Sequence, residues 1–127
     1  MAPTLLLLLV EDDPTIRLVV QDALSDAGFE LLIVETGAGA IDALDEDFER
    51  FRGIVTDVNL GDGPTGWDVA RRARELRPDI PVVYMSGESN EGWSTYGVPK
   101  STMVSKPFAP VQIVAAITEL LNAMDSH

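Results

Sequence analysis

The sequence contains no cysteine, so neither a disulfide nor a thiolate metal site can contribute to its structure or chemistry. That absence fits a reducing compartment, and the cytoplasm is the expected location. Basic residues are also scarce, because Lys and Arg number 9 against 21 Asp and Glu and give a formal net charge of −12. A chain this acidic is repelled by a phosphate backbone, and direct binding to nucleic acid is therefore not expected.

Hydrophobic runs of membrane-spanning length are absent as well. The run Leu5–Val10 is followed by the acids Glu11, Asp12 and Asp13, and no basic residue precedes it. It is too short for a membrane span and lacks the charged start of a signal peptide, so we predict a buried strand and no membrane partner. The 127 residues, 46% of them hydrophobic, have the size and composition of a single globular domain.

Polar residues follow each of the short apolar runs. Such runs, separated by helical patterns, indicate a parallel sheet that is covered on both faces. The carboxyl ends of its strands lie along one edge, where ligands bind, so the polar endings are expected to meet there. The runs and their endings are Leu5–Val10 before Glu11, Ile54–Thr56 before Asp57, Val82–Met85 before Ser86, and Met103–Val104 before Ser105 and Lys106.

Helical patterns alternate with these strands. Asp13 is the predicted N-cap of a first helix that begins at Pro14 and is closed by Gly28. The order βαβαβαβαβα then predicts a doubly wound α/β sheet, for which we favour the strand order 2-1-3-4-5. The further predicted elements are a strand at Phe29–Val34, a helix burying Ile41, Leu44, Phe48 and Phe51, a helix exposing Arg71, Arg72, Arg74 and Arg77, a strand at Pro81–Met85, a short helix at Ser89–Tyr96, and a last helix from Pro110.

The carboxylates at the predicted edge have a specific chemistry. Glu11, Asp12 and Asp57 would crowd like charges together, which requires compensation. An all-oxygen cluster suits a hard cation such as Mg²⁺, with Mn²⁺ as a substitute, and the backbone carbonyl of Asn59 is placed to add a ligand. Lys106 and the hydroxyl of Ser86 would then neutralise the oxygens of a phosphoryl group that is transferred to Asp57 as nucleophile.

Each of these features has a structural explanation when it is taken alone. The acids after the first strand can form a loop with an N-cap, which is the role we assign to Asp13. Asp57 can be a residue that ends a strand, and Ser86-Gly87 an ordinary turn. Four such features at successive strand ends of one sheet favour the functional interpretation.

Together these residues resemble the receiver domain of bacterial two-component response regulators, over nearly the whole chain. The resemblance implies a flavodoxin-like (βα)5 fold with a five-stranded parallel sheet, and a signalling module without turnover of a separate substrate. The residues that carry it are Val10-Glu11-Asp12-Asp13-Pro14, Arg17, Asp57, Asn59, Gly66, Ser86-Gly87 and Lys106-Pro107-Phe108.

The resemblance also implies a role for each site residue. Asp57 would accept a phosphoryl group from the phosphohistidine of a histidine kinase or of a histidine phosphotransfer protein. Asp12 would bind Mg²⁺ directly and Glu11 through water, with Asp57 and the Asn59 carbonyl as further ligands. Ser86 would be the switch hydroxyl, Lys106 would pair with the phosphoryl group, and the bond before Pro107 would be cis.

Two positions tune the lifetime of the phosphoryl group in this family, and here they are Asn59 and Glu88. The pair is similar to that of the chemotaxis regulator and predicts fast self-dephosphorylation.

The chain departs from the family at Met103, where an aromatic switch residue is usual, and at Pro99. Met103 therefore leaves the usual hydroxyl–aromatic relay in question. We predict instead that a change of order in residues 88–100 alters the face formed by the fourth helix, the fifth strand and the last helix, which would bind or release a downstream protein.

Several alternatives remain open at this level. We favour a single receiver domain over residues 1–127 without an output domain, as a monomer or weak dimer. A receiver cut from a hybrid histidine kinase or a longer regulator is a close variant. An aspartate-nucleophile phosphatase would want a second acid where Asn59 stands. A flavoprotein would need a phosphate loop where Glu11 and Asp12 stand, and their charges would repel that phosphate.

Overall fold

The computed structural model, which describes residues 5–87 and 91–125, contains one parallel sheet in the order β2-β1-β3-β4-β5. The strands are β1 (Leu6–Val10), β2 (Glu30–Val34), β3 (Gly53–Asp57), β4 (Val82–Ser86) and β5 (Thr102–Ser105). The helices are α1 (Pro14–Asp26), α2 (Gly37–Asp47), α3 (Gly66–Leu76), α4 (Glu91–Tyr96) and α5 (Pro110–Asp125). The predicted doubly wound, flavodoxin-like fold and its strand order are confirmed.

The sheet is apolar on both faces because helices cover both. In β1, Leu8 and Val10 pack into the core beneath α2 and α3, whereas Leu7 and Leu9 pack into the core beneath α1 and α5. All four side chains are fully buried, which explains why β1 appears in the sequence as an unbroken apolar run rather than as an alternating one. None of the helices in the described part of the chain has the length and apolar character that a membrane span needs.

Both ends of α1 follow the predicted capping chemistry. The carboxylate of Asp13 accepts hydrogen bonds from the backbone N–H groups of Thr15 at 2.9 Å and Ile16 at 3.3 Å, and Pro14 is the first residue of α1. Gly28, just past the end of α1, has a φ of +97°, which glycine adopts without strain. The loop that leaves the sheet edge after β1 is therefore held firmly at its helical end.

Some predicted boundaries were wrong. The second helix does not extend to Phe51, because α2 ends at Asp47 and a separate 3-10 turn, Phe48–Arg50, follows it. Phe51 is nevertheless buried, with an extended backbone at φ −91° and ψ 127° that already leads into β3. Helical periodicity identified the burial of these rings but not the change of backbone geometry between them.

Two strand boundaries were also shifted by one residue. Phe29 precedes β2 and packs into the core, and Pro81 precedes β4, where its carbonyl accepts a hydrogen bond from Ile54. Of the predicted short helix at 89–96, residues 91–96 are helical, and residues 88–90 lie outside the described part of the chain.

The interpretation of Arg71, Arg72, Arg74 and Arg77 as one exposed helix face was wrong for two of them, and Arg77 lies just past the end of α3. Arg74 is half-buried and donates to the backbone carbonyls of Ile80, Pro99 and Lys100. Arg77 donates to the carbonyl of Phe51 at 2.8 Å. These guanidinium groups satisfy backbone acceptors at the end of the sheet opposite the strand-end carboxylates, so their concentration in one helix is structural.

The burial of β1 between two neighbouring strands leads to a prediction about stability. We expect Leu8→Ala to lower the free energy of unfolding by about 2–5 kcal/mol, because the fully buried side chain leaves a cavity between two helices and the sheet. Leu18→Ala on α1 is the matched control, since Leu18 is 57% exposed. Urea unfolding followed by circular dichroism measures both, and equal losses would contradict this description of the core.

Candidate functional site

The carboxyl ends of β1, β3 and β5 bring four charged side chains together. Glu11 and Asp12 follow β1, Asp57 ends β3, and Lys106 follows β5. One carboxylate oxygen from each of the three acids lies within 4.8 Å of the others. The Lys106 ammonium is 3.1 Å from Asp57 Oδ2 and 3.4 Å from Glu11 Oε1. The structure therefore assembles the predicted cluster from residues that are far apart in the sequence.

Burial differs sharply among the three acids. Glu11 is fully buried and Asp57 is 5% exposed, whereas Asp12 is exposed. Burial, and to a smaller extent the charge of Asp57, raise the pKa of Glu11 to about 7 against the opposing hydrogen bond from the Asp13 backbone. Two carboxylates thus share a dry environment, while the third lies where solvent or a ligand can reach it.

Lys106 supplies the positive charge of the cluster. Its partial burial acts to lower the pKa of the ammonium, but the carboxylates of Asp57 and then Glu11 outweigh that effect, and the pKa of Lys106 is raised. The other oxygen of Glu11 accepts a hydrogen bond from the Asp13 N–H at 3.2 Å. Both oxygens of Glu11 therefore have partners within the protein. The carboxylate of Asp12, in contrast, is exposed and can be reached by a ligand from solvent.

The backbone at the end of β3 is packed tightly against α3. A Cβ at Gly66 would lie 2.1 Å from the carbonyl oxygen of Asp57, so only glycine fits at the first residue of α3. The Gly66 N–H donates to the Val58 carbonyl at 2.9 Å, and the Thr56 hydroxyl donates to the Asp57 carbonyl at 2.9 Å. These contacts fix the main chain on both sides of the Asp57 carboxylate.

The remaining predicted residues lie at or near the same edge. Ser86 is buried at the end of β4, in register with Ser105, and Asn59 is exposed in the loop that leaves β3. Met103 is half-buried on β5, and the Lys106–Pro107 bond is cis. Glu88 lies outside the described residues.

Two residues were missed as parts of this site. The Arg17 guanidinium donates to the Glu11 carbonyl at 3.2 Å and forms an ion pair with Glu35 at 3.1 Å. The sequence motif contains Arg17 without indicating its role, and it does not include Glu35. Glu35 directly follows β2, so the reasoning from strand ends that found Asp57 would have found it too.

An apolar groove of about 480 Å³ opens beside the cluster, between the start of α1 and the loop after β5. Lys106 is part of its wall, so the groove leads directly to the charged residues. The other lining residues are Thr15, Ile16, Val19, Gly87, Pro107 and Phe108.

The buried carboxyl group of Glu11 predicts that the stability of the protein depends on pH. Without divalent cations, the free energy of unfolding should fall as the pH rises from 4.5, the ordinary pKa, to about 7, because only folded Glu11 keeps its proton there. The slope reaches at most about 1.4 kcal/mol per pH unit. Urea unfolding in EDTA across this window should show Glu11→Gln gaining stability relative to the wild type as the pH rises.

The matched control is Glu46→Gln, which changes an exposed glutamate on α2 and should follow the wild type. A difference between wild type and Glu11→Gln that stays constant across the window would contradict the assignment.

Comparison with known proteins agrees with this geometry. The response regulator SaeR of Staphylococcus aureus is 26% identical over 123 residues, which are 95% of this chain and 52% of SaeR, so the chain spans about half the length of that relative. The crystal structure of a response regulator receiver protein from Sinorhizobium medicae is 40% identical, with a TM-score of 0.91, and the match covers 94% of this chain and 96% of that one.

A second solved structure and a family profile point the same way. The chemotaxis protein CheY4 of Vibrio cholerae is 25% identical with a TM-score of 0.81, over 92% of this chain and 98% of that one. Residues 7–118 match the profile of the response regulator receiver domain. The chain therefore belongs to the response regulator receiver domain family.

Proposed function

We propose that Asp57 accepts a phosphoryl group and that the domain signals through the resulting aspartyl phosphate. The observation that carries the proposal is the contact of 3.1 Å between Lys106 Nζ and Asp57 Oδ2 inside a cluster of carboxylates. The ammonium lies beside the Asp57 carboxylate, so it could pair with the oxygens of a phosphoryl group on Asp57 and neutralise charge that develops during transfer. The proposed donor is the phosphohistidine of a histidine kinase or of a phosphotransfer protein.

The chemistry of the transfer balances without a further reactant. A carboxylate oxygen of Asp57 attacks phosphorus, and the bond between phosphorus and the donor imidazole nitrogen breaks with its electron pair on that nitrogen. In self-dephosphorylation, a water oxygen attacks phosphorus and the acyl phosphate bond breaks. That step regenerates the Asp57 carboxylate, and the products are inorganic phosphate and a proton.

The donor set of the cluster fits a divalent hard cation. Three carboxylates offer oxygen atoms within 4.8 Å of one another, and oxygen is the ligand atom that such cations prefer. Asp12 and Asp57 would hold Mg²⁺ directly, Glu11 through water because its own oxygens are engaged, and Asn59 through its carbonyl. When bound, the ion would neutralise phosphoryl oxygens and offset the repulsion among the acids.

The groove beside Lys106 suits a protein as the phosphoryl donor. Its walls are mainly apolar, and Val19 on its rim is 43% exposed. A small anionic donor has no apolar surface that could cover this groove, whereas a helix that carries a phosphohistidine would bury it.

The first experiment tests the acceptor. Incubation with Mg²⁺ and acetyl phosphate should add one phosphoryl group to the wild type, as measured by intact mass, and EDTA should prevent it. Asp57→Asn should not be labelled, and Lys106→Ala should be labelled about 100-fold more slowly because it loses the neutralising charge. The control Asp62→Asn, an exposed acid in the following loop, should behave as the wild type. Equal labelling of Asp57→Asn would place the acceptor elsewhere.

The lifetime of the phosphoryl group is a separate prediction. The residue types at positions 59 and 88, asparagine and glutamate, resemble those of family members with a short-lived phosphoryl group, so the aspartyl phosphate should decay within minutes after the donor is removed. Phosphate release from labelled protein measures this rate. The matched control is the same sample unfolded in urea, which should decay more slowly because its site is dispersed. An aspartyl phosphate that is stable for hours in the folded protein would contradict the prediction.

A further inference from the structure

The helix α4 is attached to the domain in an unusual way. It has only six residues, and its described members Gly92–Tyr96 are half-buried or exposed. A helix normally docks through an apolar stripe of its own. Here the ring of Trp67 on α3 lies against the helix, and the segment that follows the helix is bonded to Tyr84 on β4.

Tyr84 connects β4 to the segment that follows α4. Its side chain is fully buried, and its hydroxyl oxygen accepts a hydrogen bond from the Val98 N–H at 3.1 Å. Tyr84 lies two residues before Ser86 in the same strand, so the two side chains point to the same face of the sheet. Its register partner on β5 is Met103, which packs into the same core.

Trp67 connects the end of β3 to the same ring. It is the second residue of α3, directly after Gly66, which is packed against the Asp57 carbonyl. The Trp67 and Tyr84 rings meet edge to face, with centroids 4.6 Å apart and planes at 60°. This is a favourable aromatic geometry, and it ties α3 to β4 close to the phosphoryl site.

Trp67 also packs against α4. Its ring centroid is 6.3 Å from that of Tyr96, and a Cβ at Gly92 would lie 3.3 Å from Trp67 Cζ2. On the far side of α4, the Trp93 indole N–H donates to Ser101 Oγ at 2.9 Å, and that hydroxyl donates to the Val98 carbonyl at 2.7 Å. Val98 is thus held at both its N–H and its carbonyl, and both bonds lead to aromatic residues.

We propose that Trp67 and Tyr84 are positioning residues that couple the phosphorylation state of Asp57 to the position of α4. The coupling rests on the proposed function of Asp57. A shift of the β3–α3 junction moves Trp67, a shift of β4 near Ser86 moves Tyr84, and α4 follows both because it has little burial of its own. An aromatic pair is strong enough to bias a two-state equilibrium by up to about tenfold.

The test compares amide hydrogen exchange of residues 91–101 with and without Mg²⁺ and acetyl phosphate, while intact mass reports the extent of phosphorylation. In the wild type, exchange in this segment should change by up to about tenfold on phosphorylation. Trp67→Leu should be phosphorylated to the same extent and lose that change. Trp67→Phe, which keeps a ring, should retain part of it. Circular dichroism establishes that each variant is folded.

The matched control is Phe48→Leu, a half-buried ring of the same core that lies on the 3-10 turn after α2. It should retain the wild-type change. If Phe48→Leu lost the change as fully as Trp67→Leu, general loosening of the core would explain the result and the proposal would be overturned. Phosphorylated Trp67→Leu with the wild-type change would overturn it as well.

Tyr84→Phe tests the hydrogen bond in the unphosphorylated protein. Removal of the hydroxyl should speed exchange of the Val98 amide by about tenfold, and an unchanged rate would overturn the role of Tyr84. Phosphorylated wild type with unaltered exchange in residues 91–101 would overturn the coupling alone. A wild type that cannot be phosphorylated would overturn the proposed function and the coupling with it.

Discussion

The contact of the Lys106 ammonium with two buried carboxylates is the interaction on which the rest of the site depends. Glu11 and Asp57 lie at the ends of neighbouring strands, and without a cation between them their charges would repel in a dry environment. One ammonium does not balance three acids, and burial together with the charge of Asp57 raises the pKa of Glu11 to about 7. The same imbalance gives the site its attraction for a further cation.

The parallel sheet makes this arrangement possible at low cost to the rest of the fold. Each strand ends at the same edge, so acids and a lysine can be added there without entering the two apolar cores. The backbone beneath the site is held by the Thr56 hydroxyl, by the close packing of Gly66, and by the Arg17 guanidinium on the Glu11 carbonyl. Charged groups at the rim therefore rest on a main chain that is fixed by short, uncharged contacts and one arginine.

Much of this arrangement could be predicted from the sequence, because both the order of strands and the residues that end them are local features. Asp57, Glu11 and Lys106 each follow an apolar run, and parallel pairing then brings them together. The break between α2 and β3 was not predictable from periodicity, since Phe48 and Phe51 both pack against the core although α2 ends before them. Hydrogen bonds between residues far apart in the sequence were also not predictable, because nothing next to Arg74 in the sequence indicates that it donates to the carbonyls of Pro99 and Lys100.

The small size of α4 has a consequence for the loop that follows it. Six helical residues rise only about 9 Å, whereas a strand of five residues extends about 16 Å. A side chain of α3 therefore reaches the amino-terminal end of β5. The Arg74 guanidinium donates hydrogen bonds to the backbone carbonyls of Pro99 and Lys100 there. Lys100 has a left-handed backbone at φ 59°, a conformation that costs a non-glycine residue about 1–2 kcal/mol. The planar fork of an arginine can bind several carbonyls at once, which a lysine ammonium on a flexible stem does less well. The shape of the α4–β5 connection is thus held in part by the third helix, from outside the short helix that precedes it.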